Sequence, residues 1–302
     1  MHPTLDHVQS KSEPLQAGLY LVATPIGNLE DITLRALRIL SHVDKIACED
    51  TRVSQKLLSH YMIQKPLLSY HEHNADHMRP KLLGAIQSGE AIAFITDAGM
   101  PLVSDPGYKL VRNCIEAGVY VTVIPGPSSS LAALALSGLA PDRFFFQGFL
   151  PSKSSGRQKI LTELLALQSS LIFFESPHRI LDTLHDARAI LGDRRACIVR
   201  EITKLFEERI EGSFTQLIDI LNERTLKGEI VLVIEGYEPQ EMILETLQAL
   251  VKTSLATYSL KETVSRITKM HTVAKSRVYD IALSLQKEKG DDVVHTSDAT
   301  QE

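Results

Sequence analysis

Short apolar runs alternate with amphipathic segments from Gly18 onward. A buried strand of a parallel sheet reads as a continuous apolar run, and a covering helix carries apolar residues every three or four positions. The first half of the chain therefore predicts four strands, each followed by a helix, and a largely parallel sheet. The predicted strands are residues 18–23, 44–49, 91–96 and 119–124, and the predicted helices are residues 31–40, 51–61, 108–118 and 128–138.

The alternation restarts beyond Pro141, which marks a second α/β domain. A polar hinge over residues 236–241 precedes a helical tail, in which two predicted helices, 259–270 and 275–289, resemble a helix-turn-helix. The predicted fold class is α/β, with two α/β domains and a small C-terminal all-helical domain. Strands of the second domain are predicted at 170–175, 196–201 and 229–235, with helices at 179–191 and 214–225. The predicted divisions are a disordered tail at 1–17, domains at 18–140, 141–238 and 239–290, and a disordered tail at 291–302.

Composition is that of an ordinary globular protein, with 44% hydrophobic and 23% charged residues among 302. No apolar run reaches the roughly 18 residues that cross a bilayer, and the polar N-terminal segment lacks the apolar core of a signal peptide. Cys48, Cys114 and Cys197 lie far apart in the sequence. We therefore expect reduced thiols and a cytoplasmic protein without a membrane segment.

Charge is distributed unevenly along the chain. The formal net charge is −5 and the pI is near 6.1, which argues against nucleic-acid binding by overall charge. Residues 252–289, however, hold eight Lys and Arg against three acidic residues, a local net charge of +5. This basic segment favours contact with RNA, and a packing or dimerisation module is the alternative.

Three loops rich in Gly, Pro and Ser follow predicted strands of the first domain. They are loop 1 (24–28), loop 2 (97–107) and loop 3 (125–130). Ligands of open α/β sheets bind at the carboxyl ends of strands, where Gly and Pro allow close and rigid backbone approach. Ser128 can cap the helix after loop 3 and still offer a hydroxyl. A single loop of this kind is typical of a turn, but three at one sheet edge predict a ligand site.

Nucleotide-binding signatures are missing from this edge. The sequence contains no GxG, no GxxxxGKS and no GxxxxGKT, and the loops carry no cluster of basic side chains. These features favour a cationic cofactor without phosphate over a nucleoside triphosphate.

Several polar segments each allow a functional and a structural interpretation. Residues 49–52 either position a substrate or form a helix start with Asp50 as cap and Arg52 in a surface pair. Residues 175–179 either contact phosphate or ribose or simply begin a helix, with Ser176 as cap and Pro177 in the first position. The basic residues of segment 153–159 predict a mobile loop that follows RNA backbone. The three histidines of residues 71–77 lack matching Cys or carboxylate ligands, so no metal is predicted.

Seven motifs together resemble the rRNA small subunit methyltransferase I family, within the tetrapyrrole methylase superfamily. They occur in order between Gly18 and Gly236: VATPIGNLEDIT, EDTR, YHEHN, DAGMPLVSDPG, PGPSS, ESPHR and REITKLFEE. The resemblance implies the tetrapyrrole methylase fold, with S-adenosylmethionine bound in a cleft between two α/β domains. It also implies 2′-O-methylation of a cytidine ribose in the decoding region of 16S rRNA, by a homodimer. The RNA partner is 16S rRNA or the assembled small ribosomal subunit.

The resemblance also implies roles for individual residues. The implied cofactor-binding residues are Pro25, Asp97, Gly99, Met100, Pro101, Val103, Ser104, Ser128, Ser129, Pro177, Gly228, Glu229 and Ile230. The candidates for taking or positioning the proton are Glu175, His178, Glu201 and Lys204, without a ranking. The candidate RNA-binding residues are Arg52, Lys153, Arg157 and Arg179.

Two other functions remain open at this point. A tetrapyrrole (precorrin-type) C-methyltransferase would share fold and cofactor, but its first loop is of GxGPG type where this chain has ATPIGN. A non-catalytic ribosome-binding protein would not need intact cofactor loops.

Overall fold

The computed structural model describes residues 14–104, 106–238, 244–271 and 273–295. The chain forms two compact units, Met1–Tyr237 and Glu238–Glu302. The first unit holds two five-stranded sheets with their helices, and the second holds three helices. This architecture confirms the predicted fold class.

The first sheet and its helices span residues 18 to 137. Its elements are β1 (Gly18–Val22), α1 (Leu34–His42), β2 (Lys45–Cys48), α2 (Thr51–His60), β3 (Leu67–Ser69), α3 (Ala75–Gln87), β4 (Ala91–Ile95), α4 (Tyr108–Glu116), β5 (Tyr120–Ile124) and α5 (Ser129–Ser137). All paired strands are parallel, in the order β3-β2-β4-β1-β5. Every residue of β1 and β4 is buried, because both faces of a parallel sheet are covered.

The second sheet is mixed. Its elements are β6 (Phe144–Phe149), α6 (Ser154–Glu163), β7 (Ser170–Glu175), α7 (Ile180–Leu191), β8 (Arg195–Arg200), β9 (Glu208–Ser213), α8 (Phe214–Glu223) and β10 (Ile230–Ile234). The strand order is β6-β7-β10-β8-β9, with β6 parallel to β7 and the other neighbours antiparallel.

Helix α5 connects the two sheets. By sequence it belongs with the first domain, yet Ala133 and Leu134 pack against Ile172, Cys197 and Val233 of the second sheet. The opposite face of that sheet is covered by α6, α7 and α8. The carboxyl ends of the first sheet are thereby held beside the second sheet.

The C-terminal unit consists of α9 (Leu244–Leu255), α10 (Leu260–His271) and α11 (Lys275–His295). It has a core of its own, made of Leu247, Val251, Val264, Ile267, Val278, Ile281 and Ala282. The two predicted helices are confirmed. The prediction of disorder from residue 291 is wrong for residues 291–295, which continue α11, and residues 296–302 lie outside the described residues.

The predicted N-terminal tail, 1–17, falls mostly outside the described residues, but Leu15 packs against the core of the first sheet. The three cysteines are free and buried. None of the helices in the described ranges is long and apolar enough to cross a membrane.

Candidate active site between the two sheets

Loops 1 and 2 are joined by a pair of backbone hydrogen bonds. The Thr24 N–H donates to the Gly99 carbonyl over 2.9 Å, and the Gly99 N–H donates back over 3.1 Å. The Thr24 hydroxyl also donates to the Thr96 carbonyl, just beyond β4, over 3.1 Å. Gly99 has a φ of +83°, so a residue without Cβ is favoured where the loops cross.

Loop 2 contains two non-glycine residues in left-handed backbone conformation. Leu102 has a φ of +74° and Ser104 a φ of +66°. Such conformations cost on the order of 1–3 kcal/mol each and cluster at binding sites. Loop 2 also reaches the second sheet, because a Cβ on Gly148 of β6 would lie 3.0 Å from the Ser104 hydroxyl oxygen.

Loop 3 leads into α5 and presents serine hydroxyls. Ser128 occupies the N-cap position, but its side chain makes no capping hydrogen bond. Its Oγ lies 3.1 Å from the Oγ of Ser130 instead. The prediction of a side-chain cap is therefore wrong, and both hydroxyls retain hydrogen-bonding capacity for a ligand.

A charged cluster borders the site on the side of the second sheet. Lys204 Nζ donates to Glu201 Oε1 over 3.0 Å and to Glu229 Oε2 over 3.2 Å. The Glu229 N–H donates to Glu201 Oε1 over 2.9 Å, and this bond together with Lys204 lowers the pKa of Glu201 against the effect of burial. Burial alone would lower the pKa of Lys204, but the two carboxylates outweigh it and raise that pKa. A protonated Lys204 ammonium cannot accept a proton, and a Glu201 carboxylate whose pKa is lowered is a weak base, so each is a poor proton acceptor at neutral pH.

Two glycines allow this cluster to close on loop 1. Gly228 has a φ of +86°, and a Cβ there would collide with the Glu201 carboxylate. A Cβ on Gly27 would lie 2.5 Å from the Lys204 Cγ. The Lys204 stem therefore packs directly on loop 1.

These elements line a cavity of about 430 Å³, called the cleft below. Ten implied cofactor-binding residues lie on its wall: Asp97, Gly99, Met100, Val103, Ser104, Ser128, Ser129, Gly228, Glu229 and Ile230. The other three, Pro25, Pro101 and Pro177, do not line it. Ile26, Ala98 and Ser130 of the three loops and Ser176 of segment 175–179 also line it. So do Phe149, Phe174, Ile202 and Val231, for which the sequence predicted no role. Among the described residues on this wall there is no Lys, Arg or His.

Glu175 lies in the cleft wall, but both its carboxylate oxygens have partners. Oε1 accepts from the Ser176 N–H over 2.8 Å, and Oε2 accepts from the Thr183 hydroxyl over 2.7 Å. Arg179 lies 3.3 Å from Oε1 and donates to the Leu150 carbonyl over 2.7 Å. Glu175 and Arg179 therefore stabilise the junction between β7 and α7.

The segment after β7 is a turn, and α7 begins only at Ile180. The alternative in which Ser176 caps a helix with Pro177 in its first position is therefore wrong. His178 is exposed in this turn, two residues beyond the lining residue Ser176.

A polar hollow of about 400 Å³ adjoins the cleft, and Asp97 lines both. The remaining lining residues of the hollow are Glu49, Asp50, Thr51, Arg52, Ser69 and His71. Burial raises the pKa of Asp97 and of Glu49, whereas hydrogen bonds from Arg52 lower the pKa of Asp50 to about 2. Asp50 caps α2 through the Arg52 N–H, and the exposed Arg52 guanidinium lies 2.7 Å from it. The structural interpretation of residues 49–52 thus applies, and it leaves Arg52 facing solvent beside the cleft.

The histidines of residues 71–77 do not assemble a metal site in the part of the chain that the structure describes. The rings of His71 and His73 are 6.0 Å apart, and no group of three His, Cys, Asp or Glu side chains is placed to share an ion there.

The prediction of a mobile loop over residues 153–159 is wrong, because α6 begins at Ser154. Arg157 is buried and donates to Asp186 of α7 over 2.7 Å and to the Ser152 carbonyl over 2.8 Å. Its guanidinium is thus bound to partners inside the protein, and Arg157 is no longer a candidate for RNA binding. Lys153 and Lys159 remain exposed.

Comparison with known proteins shows the family of this chain. The Tetrapyrrole (Corrin/Porphyrin) Methylases family matches residues 18–218. Ribosomal RNA small subunit methyltransferase I of Mesorhizobium japonicum is 46% identical over 282 residues, covering 93% of this chain and 96% of the relative. The protein of the same name from Halalkalibacterium halodurans is 44% identical over 270 residues, covering 87% and 93%. The chain belongs to this methyltransferase family.

Solved structures of the superfamily share the fold of this family member at low sequence identity. Diphthine synthase aligns with a TM-score of 0.57 at 15% identity, covering 72% of this chain and 89% of its own. Uroporphyrin-III C-methyltransferase from Thermus thermophilus, in complex with S-adenyl homocysteine, aligns with a TM-score of 0.53 at 19% identity, covering 72% and 97%. In both, the aligned part accounts for most of the neighbour's chain.

Proposed function

We propose that this protein transfers a methyl group from S-adenosylmethionine to the ribose 2′-oxygen of a cytidine in the decoding region of 16S rRNA. The observation that carries the proposal is the cleft, in which all three loops of the first sheet meet Gly228, Glu229 and Ile230 of the second. Relatives that match most of this chain are named for methylation of small-subunit ribosomal RNA.

The cleft wall suits S-adenosylmethionine. Apolar side chains such as Ile26 and Phe174 can hold an adenine ring, and the loop 3 hydroxyls can bind polar groups. Asp97 and Glu229 offer acceptors to hydroxyl or ammonium groups. The lack of cationic side chains among the described lining residues favours a positively charged ligand without phosphate. When bound, S-adenosylmethionine supplies a methyl group activated by a sulfonium leaving group.

Among the four proton-acceptor candidates, His178 is the one we propose. Glu175 has both oxygens occupied, Glu201 is a weak base because its pKa is lowered, and Lys204 keeps its proton because its pKa is raised. His178 is exposed beside the cleft, and the unprotonated nitrogen of a neutral imidazole can accept a hydrogen bond and a proton. Replacing His178 by Ala should lower kcat by roughly 10²-fold or more, with unchanged affinity for S-adenosylmethionine. Equal turnover in the variant would return the role to another group or to solvent.

We propose that the protein acts in the cytoplasm, where its RNA substrate is found. We also propose that it forms the homodimer that the resemblance implies. Exposed apolar residues support an interface: Tyr120 and Val123 on the edge strand β5, and Leu131 and Leu136 on the outer face of α5. Exposed large apolar side chains in such numbers are typical of association sites. Sedimentation of the purified protein, with Leu136→Lys as the disrupting variant, would test the dimer.

The decisive experiment compares methyl transfer to three substrates from labelled S-adenosylmethionine. Small ribosomal subunits from a strain lacking this protein, naked 16S rRNA and a precorrin are incubated separately with the enzyme. Mass mapping of nuclease fragments should locate one methylated cytidine ribose in rRNA from the subunits or the naked RNA. Transfer only to the precorrin would establish the tetrapyrrole alternative. Absence of cofactor binding in calorimetry would favour a non-catalytic ribosome-binding protein.

A further inference from the structure

The loop between β8 and β9 ends in an apolar tip at the border of the cleft. Leu205 is 89% exposed, more than any other large apolar side chain in the described ranges, and Phe206 is 67% exposed. Apolar side chains at such exposure are usually found where a partner covers them. Neither residue belongs to the cleft wall or to a hydrophobic core in the described part of the chain.

The tip is attached to the cleft on its N-terminal side. Ile202 is buried in the core between α5 and the second sheet, and it also lines the cleft. Lys204 packs on Gly27 of loop 1 and binds Glu201 and Glu229. Phe206 follows two residues later, so its Cα lies within about 7.6 Å of the Lys204 Cα. The Phe206 backbone therefore lies close to the charged cluster of Glu201, Lys204 and Glu229 that borders the cleft.

Polar contacts fix the shape of this loop. Glu201 and Thr203 adopt left-handed φ values of +50° and +66°. The Thr203 N–H donates to Glu207 Oε2 over 2.6 Å, and the Glu207 N–H donates to the Lys204 carbonyl over 3.1 Å. The backbone thus holds Leu205 and Phe206 outward in one defined position, which is how a preformed binding element is built.

The size and surroundings of the tip favour a nucleobase over a protein partner. A stable protein interface buries about 800 Å² per partner, whereas an aromatic side chain contributes about 150–250 Å². The residues flanking the tip, Lys204 and Glu207, are charged and not apolar. Single-stranded loops, bulges and ends of an RNA substrate offer unstacked bases, and such bases bind on aromatic rings.

We infer that Phe206 stacks on an unstacked base of the RNA substrate next to the target nucleotide, with Leu205 packed at its side. Phe206 is thereby a positioning residue for the reacting ribose. This inference rests on the proposed RNA substrate. It assigns to the β8–β9 loop the recognition of a base by stacking, which neither the cofactor loops nor the charged residues supply.

The chain contains no tryptophan, so Phe206→Trp introduces a single fluorescent reporter at the tip. Stacking on a base should quench this fluorescence when small ribosomal subunits from a strain lacking the protein are added. Ile115→Trp is the matched control, because Ile115 is 63% exposed near the end of α4, which runs back from the site edge of the first sheet. Its fluorescence should stay constant. Equal quenching in both variants, or in neither, would overturn the inference.

Methylation kinetics supply a second test. Phe206→Ala should raise KM for the ribosomal substrate about tenfold, as removal of one base–aromatic stack predicts, with unchanged affinity for S-adenosylmethionine. Phe206→Tyr should restore KM, and Phe206→Leu should not, since stacking needs a planar ring. Wild-type kinetics in the Ala variant, or rescue by Leu, would contradict stacking. A change in sedimentation of the Ala variant would assign Phe206 to the dimer instead. Failure of the wild-type enzyme to methylate RNA would count against the proposed function itself.

Discussion

At the scale of the residue, Gly99 couples backbone conformation to the shape of the cleft. Replacement by Ala should cost about 1–2 kcal/mol of folding stability, because L residues are strained at its φ of +83°. The added Cβ would also lie 3.3 Å from Ile26 Cγ2, a side chain of the cleft wall. Affinity for S-adenosylmethionine, measured by calorimetry, should fall roughly tenfold.

Gly192→Ala separates these two effects. Gly192 has a φ of +81°, and a Cβ there would meet no atom within 4 Å. Gly192 also has a ψ of −176°, so the control variant should lose stability in urea unfolding but keep full cofactor affinity. A Gly99→Ala protein that binds the cofactor as tightly as the control would place the ligand elsewhere.

Arg52 and Arg179 differ in what their guanidinium groups do in the folded protein. Arg179 neutralises the buried Glu175 and binds the Leu150 carbonyl, so Arg179→Ala should destabilise the protein by about 2 kcal/mol. Arg52 is exposed and, within the described ranges, pairs with the α2 cap Asp50, so Arg52→Ala should cost little stability. Thermal unfolding of both variants measures this difference.

Their effects on methylation should follow the opposite order. Arg52→Ala should lower methylation of the ribosomal substrate per folded molecule, with little change in cofactor affinity, because Arg52 faces solvent beside the cleft. Arg52→Lys, which keeps the charge, serves as the matched variant and should retain part of the activity. Unchanged methylation in Arg52→Ala would reduce residues 49–52 to a helix cap.

At the scale of the element, strong hydrophobic patterns predicted helices and strands correctly, whereas segments with weak patterns were missed or taken for loops. The buried strands β1 and β4 and the amphipathic α8 stand where their patterns place them. Helix α3 contains Pro80 and a glycine, and α6 begins with Ser-Ser-Gly, so neither has the pattern of a helix. Tertiary packing stabilises them against their local preferences.

The sequence predicted those parts of the cleft wall that are formed by a single continuous segment of chain. Each of loops 1 to 3 is one such segment, and its Gly, Pro and Ser residues identify it as a loop. Phe149 and Phe174 were missed because they reach the cleft through β6 and β7, whose pairing no local pattern specifies. The buried ion pair of Arg157 was missed for the same reason, since its partner Asp186 lies 29 residues away in the sequence.

The pair of helices α6 and α7 depends on a buried ion pair. Arg157 and Asp186 have side chains only 5% and 10% exposed, so Arg157→Ala should destabilise the protein by about 3 kcal/mol. Arg157→Ala/Asp186→Ala should recover part of this loss, since it leaves no unpaired buried charge. Urea unfolding at pH 7 measures all three proteins. Unchanged stability with weakened RNA binding in Arg157→Ala would restore the RNA-contact interpretation.

Acid should break this pair in a defined direction. Burial alone would raise the pKa of Asp186, but hydrogen bonds from Gln158, Ser154 and Arg157 outweigh it and lower that pKa. Because the folded-state pKa is lowered, the ionised Asp186 stabilises the folded protein fully above the ordinary Asp pKa of about 4. This stabilisation disappears as the pH falls through the lower, folded-state pKa. Asp186→Asn should therefore show a smaller loss of stability between neutral and acid pH than the wild type.

At the scale of the whole molecule, the cleft and the basic segment lie in different units. The cleft lies in Met1–Tyr237, whereas the basic segment 252–289 lies in Glu238–Glu302, which has its own hydrophobic core. An acidic chain can thus bind RNA through one local basic surface, and the rest of the protein need not carry positive charge.

Removal of residues 238–302 should leave cofactor affinity unchanged, because every residue that lines the cleft lies in the first unit. RNA methylation should fall, and the salt dependence of RNA affinity should weaken by about 0.7–0.9 in log–log slope for each phosphate that the shortened protein no longer neutralises. A full-length variant with Lys261→Gln, Lys269→Gln and Lys275→Gln, all exposed positions, tests the same idea without deletion, and the corresponding Lys→Arg variant is its control. The glutamine variant should reproduce the salt effect of the deletion, while the arginine variant should behave as the wild type. If the deletion impairs methylation but the glutamine variant does not, the helical unit acts through its shape or its contacts with another subunit, and its charge is incidental.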